Sequence, residues 1–325
     1  MRRLILTTLA ALGLTTAAHA DVTGKLVLYT SQPNEDAQKT VDAFMAANPG
    51  VTVEWVRDGT PKIMAKFRAE LEAGAPQADV LLIADSVTME GLKAEGLLLA
   101  HPDADISAYE PGIMDADKAW FATKLITTGI VYNTGAPVQP VSYADLTAPE
   151  VTAAFMMPSP LASGAATIHM VAVTGVPDLG WGFYEKLADQ GAVADGGNGG
   201  VLKAVAGGEK LYGFLVDFLA IREAAKGAPV SFVFPAEGVS AVSEPVAILA
   251  GAKNPDAARA FVDFLISAPG QQLAADMGYL PAHPAITPPA GFPARDTIRI
   301  LPFDPAKALA DEAANKARFA EMFGG

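Results

Sequence analysis

Apolar positions along this chain fall into short blocks separated by amphipathic stretches. Leu26-Val27-Leu28-Tyr29 is one such block, and the small polar residues Thr30, Ser31 and Gln32 follow it. An amphipathic stretch comes next, then the turn Asn48-Pro49-Gly50, then a second block over 51–56. Unbroken apolar runs of four to six residues predict strands, and apolar residues three or four apart predict helices. The opening therefore reads strand, helix, strand.

The same alternation continues. Helical spacing over 62–73 places Ile63, Phe67 and Leu71 on one stripe, 78–85 reads as a buried strand, and 86–95 reads as a helix closed by Gly96. The segment 98–117 is rich in turns. The stretch 120–133 reads as two strand-like runs broken at Thr127-Thr128-Gly129, and 155–158 as a short strand. Helices are predicted at 167–173, 180–190, 201–206 and 221–226, strands at 211–215, 230–234 and 246–249, and a loop at Gly196–Gly200. The helix over 254–266 is well marked, with Asn254 as cap and Pro255 at its first position. A final helix runs over 304–323. Strands alternating with helices define an α/β protein with right-handed crossovers and mainly parallel sheets. At 325 residues the chain is long enough for two such units.

The N-terminus follows another rule. Arg2 and Arg3 precede a short apolar run, Leu4 to Leu14, and Ala18-His19-Ala20 has the form of a cleavage site. Residues 1–20 are thus expected to be a cleaved secretory signal peptide, which places the mature protein in the periplasm. No other segment is apolar over 18 residues, so no stable membrane insertion is expected. Losing the two arginines takes the formal charge from −13 to −15. That acidity argues against nucleic acid and anionic lipid as partners, though not against an anion held inside a cleft. With no cysteine, disulfides, thiolate metal sites and cysteine nucleophiles are excluded.

Catalytic signatures are missing. His101, His169 and His283 lie at no metal-ligand spacing, Leu161-Ala162-Ser163-Gly164-Ala165 lacks the first glycine of a nucleophile elbow, and Gly196–Gly200 has no following Lys-Ser/Thr. No enzyme activity and no cofactor are therefore expected. Four polar clusters instead sit after strands or at helix starts: Tyr29-Thr30-Ser31, Asp85-Ser86, Ser163-Gly164 and the loop holding Asn198. Such positions cap helices, and they also bind phosphate, phosphonate or carboxylate oxygens. Asp217 interrupts an apolar run, and Glu237 follows Phe234-Pro235-Ala236. Each could accept from a ligand ammonium or hydroxyl, and Asp217 could equally cap the helix after it. Glu244, before Pro245, reads as a turn residue.

The ordered set KLVLYTSQ, GVTVEWV, ADVLLIADSVTMEGLKAEGLL, GEKLYGFLVDFLAIREAAKGAPV, FPAEG, VAILAGAKNPDAARAFVDFLIS and GYLPAHP resembles the periplasmic solute-binding proteins of ABC importers. It is similar in particular to the group of ferric-ion, sugar-phosphate and aminoethylphosphonate binders. The resemblance implies a two-lobed, type II binding fold with the ligand between the lobes, and transient delivery to the membrane permease by a monomer. It divides the mature chain into one lobe of 21–125 plus 232–270 and another of 126–231 plus 271–325. Ferric binders carry two adjacent tyrosines where this sequence has Phe218-Leu219. The resemblance therefore implies a small anionic solute, a phosphonate such as 2-aminoethylphosphonate or an organophosphate, with ferric iron as the alternative. An exported phospho-compound hydrolase is the alternative of another class.

Overall fold

The computed structural model describes residues 22–110 and 113–324; the expected signal peptide lies outside them. Two sheets organise the chain. In the first, Gly24–Thr30 pairs in parallel with Val51–Arg57 on one side and with Val80–Leu82 on the other. Pro245–Leu249 then runs antiparallel against Val80–Leu82 and carries Leu98–Leu99 and Phe121–Ala122. In the second sheet, Lys124–Asn133 is the spine. It pairs antiparallel with Val230–Val233, Ser240–Val242, Tyr212–Val216 and Leu280–Pro281, and Phe155–Met157 and Val193–Ala194 extend the sheet beyond Tyr212–Val216.

Both sheets are mixed rather than mainly parallel. The βα units supply parallel neighbours, and each strand that returns from the other lobe enters antiparallel. Lys124–Asn133 is also one unbroken strand through Thr127-Thr128-Gly129. Threonine suits a pleated surface. Gly129 leaves room for a neighbouring strand: a Cβ there would lie 2.5 Å from Val233 O. Helix Ala268–Asp276 and strand Ser240–Val242 carry no strong periodicity and are absent from the sequence reading.

The chain crosses between sheets at Thr123 and again at Ser243-Glu244. These crossings lie side by side, with Thr123 N donating to Ser243 O at 3.2 Å and Thr123 Oγ1 to Glu244 O at 2.8 Å. The return expected at 232 falls inside the second sheet, because Val230–Val233 and Ser240–Val242 both hydrogen-bond to its spine. Each sheet has its own core. Leu28, Phe44, Val80 and Phe261 pack in the first lobe, and Tyr143, Phe155, Tyr184 and Phe214 in the second. The C-terminal helix Pro305–Phe323 lies across both, against Ser86–Ala94 and Gly180–Asp189.

Candidate functional site

Between the lobes lies a cleft of about 460 Å³. The first lobe contributes the turn after Gly24–Thr30 (Ser31, Pro33) and the turn after Val51–Arg57 (Arg57 to Thr60, with Lys62). The second contributes Ala162 to Ala165 and Gly196 to Gly200, and the crossing strands supply Ile126 and Glu244 at the floor. Val216, Phe218 and Leu219 form an apolar wall. These are the strand-to-helix turns at which an α/β sheet places ligands.

Three helices begin on this cleft: Thr60–Glu72, Gly164–Thr174 and Asn198–Ala206. The first and third start at Gly59 and Gly197 without a side-chain cap. The positive ends of their dipoles face the cavity, with Thr60 N leading the first helix, where Pro61 has no N–H, and Asn198 N and Gly199 N leading the third. Gly199 and Gly200 lie in the first turn of the third helix rather than in the expected loop, which keeps that backbone open to a ligand. Arg57 is held by its Nε donating to Gln32 O at 2.7 Å, and Lys62 extends from the first turn of its helix.

Of the residues expected from the sequence, Ser31, Ser163, Gly164 and Asn198 line the cleft. Ser31 Oγ accepts from Ala84 N at 2.9 Å, and Asn198 Nδ2 donates to Ser163 Oγ at 3.1 Å, joining two of the second lobe's turns. The others lie elsewhere. Tyr29 is buried in the first lobe with its hydroxyl on Glu70 at 2.7 Å, and Thr30 Oγ1 accepts from Gln32 N. Asp85 caps its helix through Val87 N and Thr88 N, and Ser86 lines a separate groove behind the crossing strands. Glu237 accepts from Tyr143 N at 3.1 Å, on the second lobe away from the cleft.

Asp217 is fully buried and fully used. Its Oδ2 accepts from Thr127 N at 2.9 Å and Thr127 Oγ1 at 2.7 Å, and its Oδ1 from Phe218 N at 2.6 Å. It ties its helix to the central strand and presents no oxygen to a solute. Arg57, Lys62 and the floor residue Glu244 join the cleft without being among the site residues expected from the sequence. The turn Arg57-Asp58-Gly59-Thr60 was the available signal, since it follows the second strand as Ser31 follows the first.

Burial pushes the carboxyls of Asp85 and Asp217 up to about 6, and pushes the ring of His169 down to about 3. A carboxyl whose native value exceeds its unfolded value of 3.8 takes up its proton first in the native state, so acidification from pH 7 to pH 5 favours the fold. His169 acts in the opposite sense below about 6.5, where the unfolded chain binds a proton that the native ring refuses. Measured by denaturant unfolding, Asp217→Asn is expected to lose about 1 kcal/mol of the wild type's pH 7 to pH 5 change, and His169→Asn to add about 2 kcal/mol. Unchanged slopes in both variants would contradict these assignments.

The fold and the cleft together define a hinged binding protein rather than a single-lobed one. Residues 26–280 match the family of bacterial extracellular solute-binding proteins, and the chain belongs to that family. A probable ABC transporter periplasmic-binding protein of Sinorhizobium fredii is 26% identical over 82% of this chain and 77% of its own. Two solved structures share the fold. One is the periplasmic binding protein AfuA of Actinobacillus pleuropneumoniae with fructose 6-phosphate bound (TM-score 0.83, 22% identity, 92% of this chain and 98% of that one). The other is iron-bound HitA of Pseudomonas aeruginosa (TM-score 0.78, 21% identity, 91% and 99%). The type II periplasmic binding fold implied by the sequence resemblance is thereby borne out. No helix among the described residues is long and apolar enough to cross a membrane.

Proposed function

We propose that the protein is the exported substrate-binding component of an ABC importer and captures a small anionic solute, a phosphonate or an organophosphate, by closure of its lobes. One observation carries the reading: Arg57, Lys62 and the starts of three helices converge on a single cleft. Helix N-termini and flexible cations together suit a phosphoryl head, whose several oxygens accept hydrogen bonds from different directions. The Sinorhizobium relative supports the importer, and the bound sugar phosphate of the Actinobacillus protein supports the solute class.

The iron-bound neighbour has the same fold, so the fold alone does not choose between the two cargoes. The wall chemistry favours the anion. Phe218 and Leu219 face the cleft and offer no oxygen, and its two carboxylates, Asp58 and Glu244, are paired with Lys62 at 3.8 Å and Lys124 at 2.5 Å, whereas ferric iron requires several hard anionic oxygen ligands.

Calorimetric titration with 2-aminoethylphosphonate, hexose phosphates, inorganic phosphate and ferric citrate tests the reading. Binding of phosphorus compounds that weakens with added salt is expected. Lys62→Glu should weaken it by about tenfold, since a cation at the rim becomes an anion. Tight iron binding with no response to any phosphorus compound would overturn the proposal, as would sustained turnover of p-nitrophenyl phosphate.

A further inference from the structure

The floor of the cleft holds polar groups that an anion at the rim does not engage. Glu244 lines the cleft and is 2% exposed, and its backbone has a φ of 36°. A glutamate in the left-handed region is strained, and strain of this kind collects at ligand sites. Lys124, also 2% exposed, places its ammonium 2.5 Å from Glu244 Oε2 as an ion pair.

Gln32 is 0% exposed, and neither its Oε1 nor its Nε2 has a partner among the described residues. Its chain neighbours Ser31 and Pro33 both line the cleft. Ser31 N donates to Leu82 O at 3.0 Å and Leu82 pairs with Val246, which brings the turn holding Gln32 beside Glu244; burial pushes the Glu244 carboxyl up, while Lys124 and the Gln32 side chain act against that rise. Buried amides almost always find partners, so the unmet Gln32 amide, beside a carboxylate that lines the cleft, calls for a group supplied from outside.

The charges restrict what that group is. Glu244 already has Lys124 as counter-ion, and nearby Asp36 has Arg222. An ammonium would enter next to the Lys124 ammonium with no carboxylate free to balance it, and Asp217 is saturated by Thr127 and Phe218. A hydroxyl has no such conflict. It donates to a carboxylate oxygen and accepts from an amide N–H at once. We propose that Glu244 and Gln32 form a subsite for a hydroxyl group of the solute, so that the cargo is a hydroxylated phosphate ester or phosphonate rather than an aminoalkyl one. This rests on the anionic-solute reading above.

The probes are glycerol 3-phosphate and fructose 6-phosphate, ethyl phosphate as the same head without hydroxyls, and 2-aminoethylphosphonate. Each is titrated calorimetrically into the wild type, Glu244→Gln and Gln32→Leu. Gln32→Leu leaves the Lys124–Glu244 pair intact, and thermal melting checks that both variants fold. A hydroxylated probe should bind the wild type at least about tenfold more tightly than ethyl phosphate does, and both variants should erase most of that preference, read as the ratio of the two affinities within each protein. Preference for 2-aminoethylphosphonate in the wild type would overturn the subsite, and so would equal losses for all probes in the variants. Equal wild-type affinities for ethyl and glycerol phosphate would sink the subsite alone. Failure of every phosphorus compound to bind would take the anionic-solute reading with it.

Discussion

Gly164→Val is expected to weaken solute binding by roughly 100-fold while leaving the fold intact. Gly164 opens the helix Gly164–Thr174 on the second lobe and faces the first. A Cβ there would lie 2.6 Å from Ala84 O and 2.9 Å from both Asp85 Cβ and Thr60 Oγ1, all on the opposite lobe. Gly59 makes the reciprocal approach, where a Cβ would lie 2.4 Å from Ala162 O. Backbone meets backbone across the cleft at both points, so a side chain at either cannot swing aside. The overlap is relieved by parting the lobes, which spares the two lobe cores and loosens the apolar contact of Ala84 and Val87 with Ala165 and Ile168. Affinity then falls with the population of the closed form, and about 3 kcal/mol of bias against closure corresponds to roughly 100-fold.

Gly164→Ala already carries the offending atom and should lose binding in the same direction by less. It should also melt no lower than wild type, because alanine is the better helix former. Loss of affinity at unchanged or raised melting temperature separates closure from folding. Calorimetry with the tightest-binding solute of the titration panel measures the first, and X-ray scattering with and without it measures compaction. Wild-type affinity in Gly164→Val would show that the lobes do not need to meet at this separation.

How far the sequence carried the site follows from where information is local. The βα units were legible because periodicity and caps act within a few residues, as at Asn254 and Pro255, where Asn254 Oδ1 accepts from Ala257 N at 3.2 Å. The cleft turns were half legible. Ser31 is the first residue past its strand and faces the ligand edge, whereas Tyr29, two residues earlier, packs under the helix Thr60–Glu72. Among helix starts, composition does not tell a spent cap from a free one: Asp85 gives both its oxygens to its own helix, while Asn198 spans two turns of the cleft wall. Arg57 and Lys62 read as ordinary surface charges, because only the third dimension brings them opposite Ser163 and Asn198. The Lys124–Glu244 pair had least signal of all. Its members are far apart in sequence and meet where two crossing strands run side by side.

Asp36→Ala is expected to cost about 3–5 kcal/mol of stability. Asp36 lies 1% exposed in the first turn of Asn34–Ala47 on the first lobe, and Arg222 reaches it from Asp217–Ala225 on the second. The contact is bidentate, Nη1 to Oδ1 at 2.8 Å and Nη2 to Oδ2 at 2.9 Å. The Tyr279 hydroxyl donates to Oδ2 as well, and the guanidinium lies 4.5 Å from the Phe218 ring centre and 5.1 Å from that of Tyr279. Burial alone would raise the Asp36 carboxyl, but the hydrogen bonds from Arg222 and Tyr279 outweigh it and hold the carboxyl below its usual value. Its contribution is therefore complete above the unfolded value of 3.8 and is lost as pH falls through the lower native value. Removing the carboxylate strands a guanidinium that is mostly buried beside the packed rings of Phe218 and Tyr279, and this desolvated, unpaired charge is the source of the cost. The double variant Asp36→Leu/Arg222→Met leaves no charge behind and should recover most of the loss. Because Arg222 stands one turn beyond the cleft residues Phe218 and Leu219, the single variant should also weaken solute binding, and the double variant should restore stability more fully than affinity. Denaturant unfolding of the four proteins of this cycle gives the coupling energy; a value below about 1 kcal/mol would reduce the contact to that of an exposed ion pair.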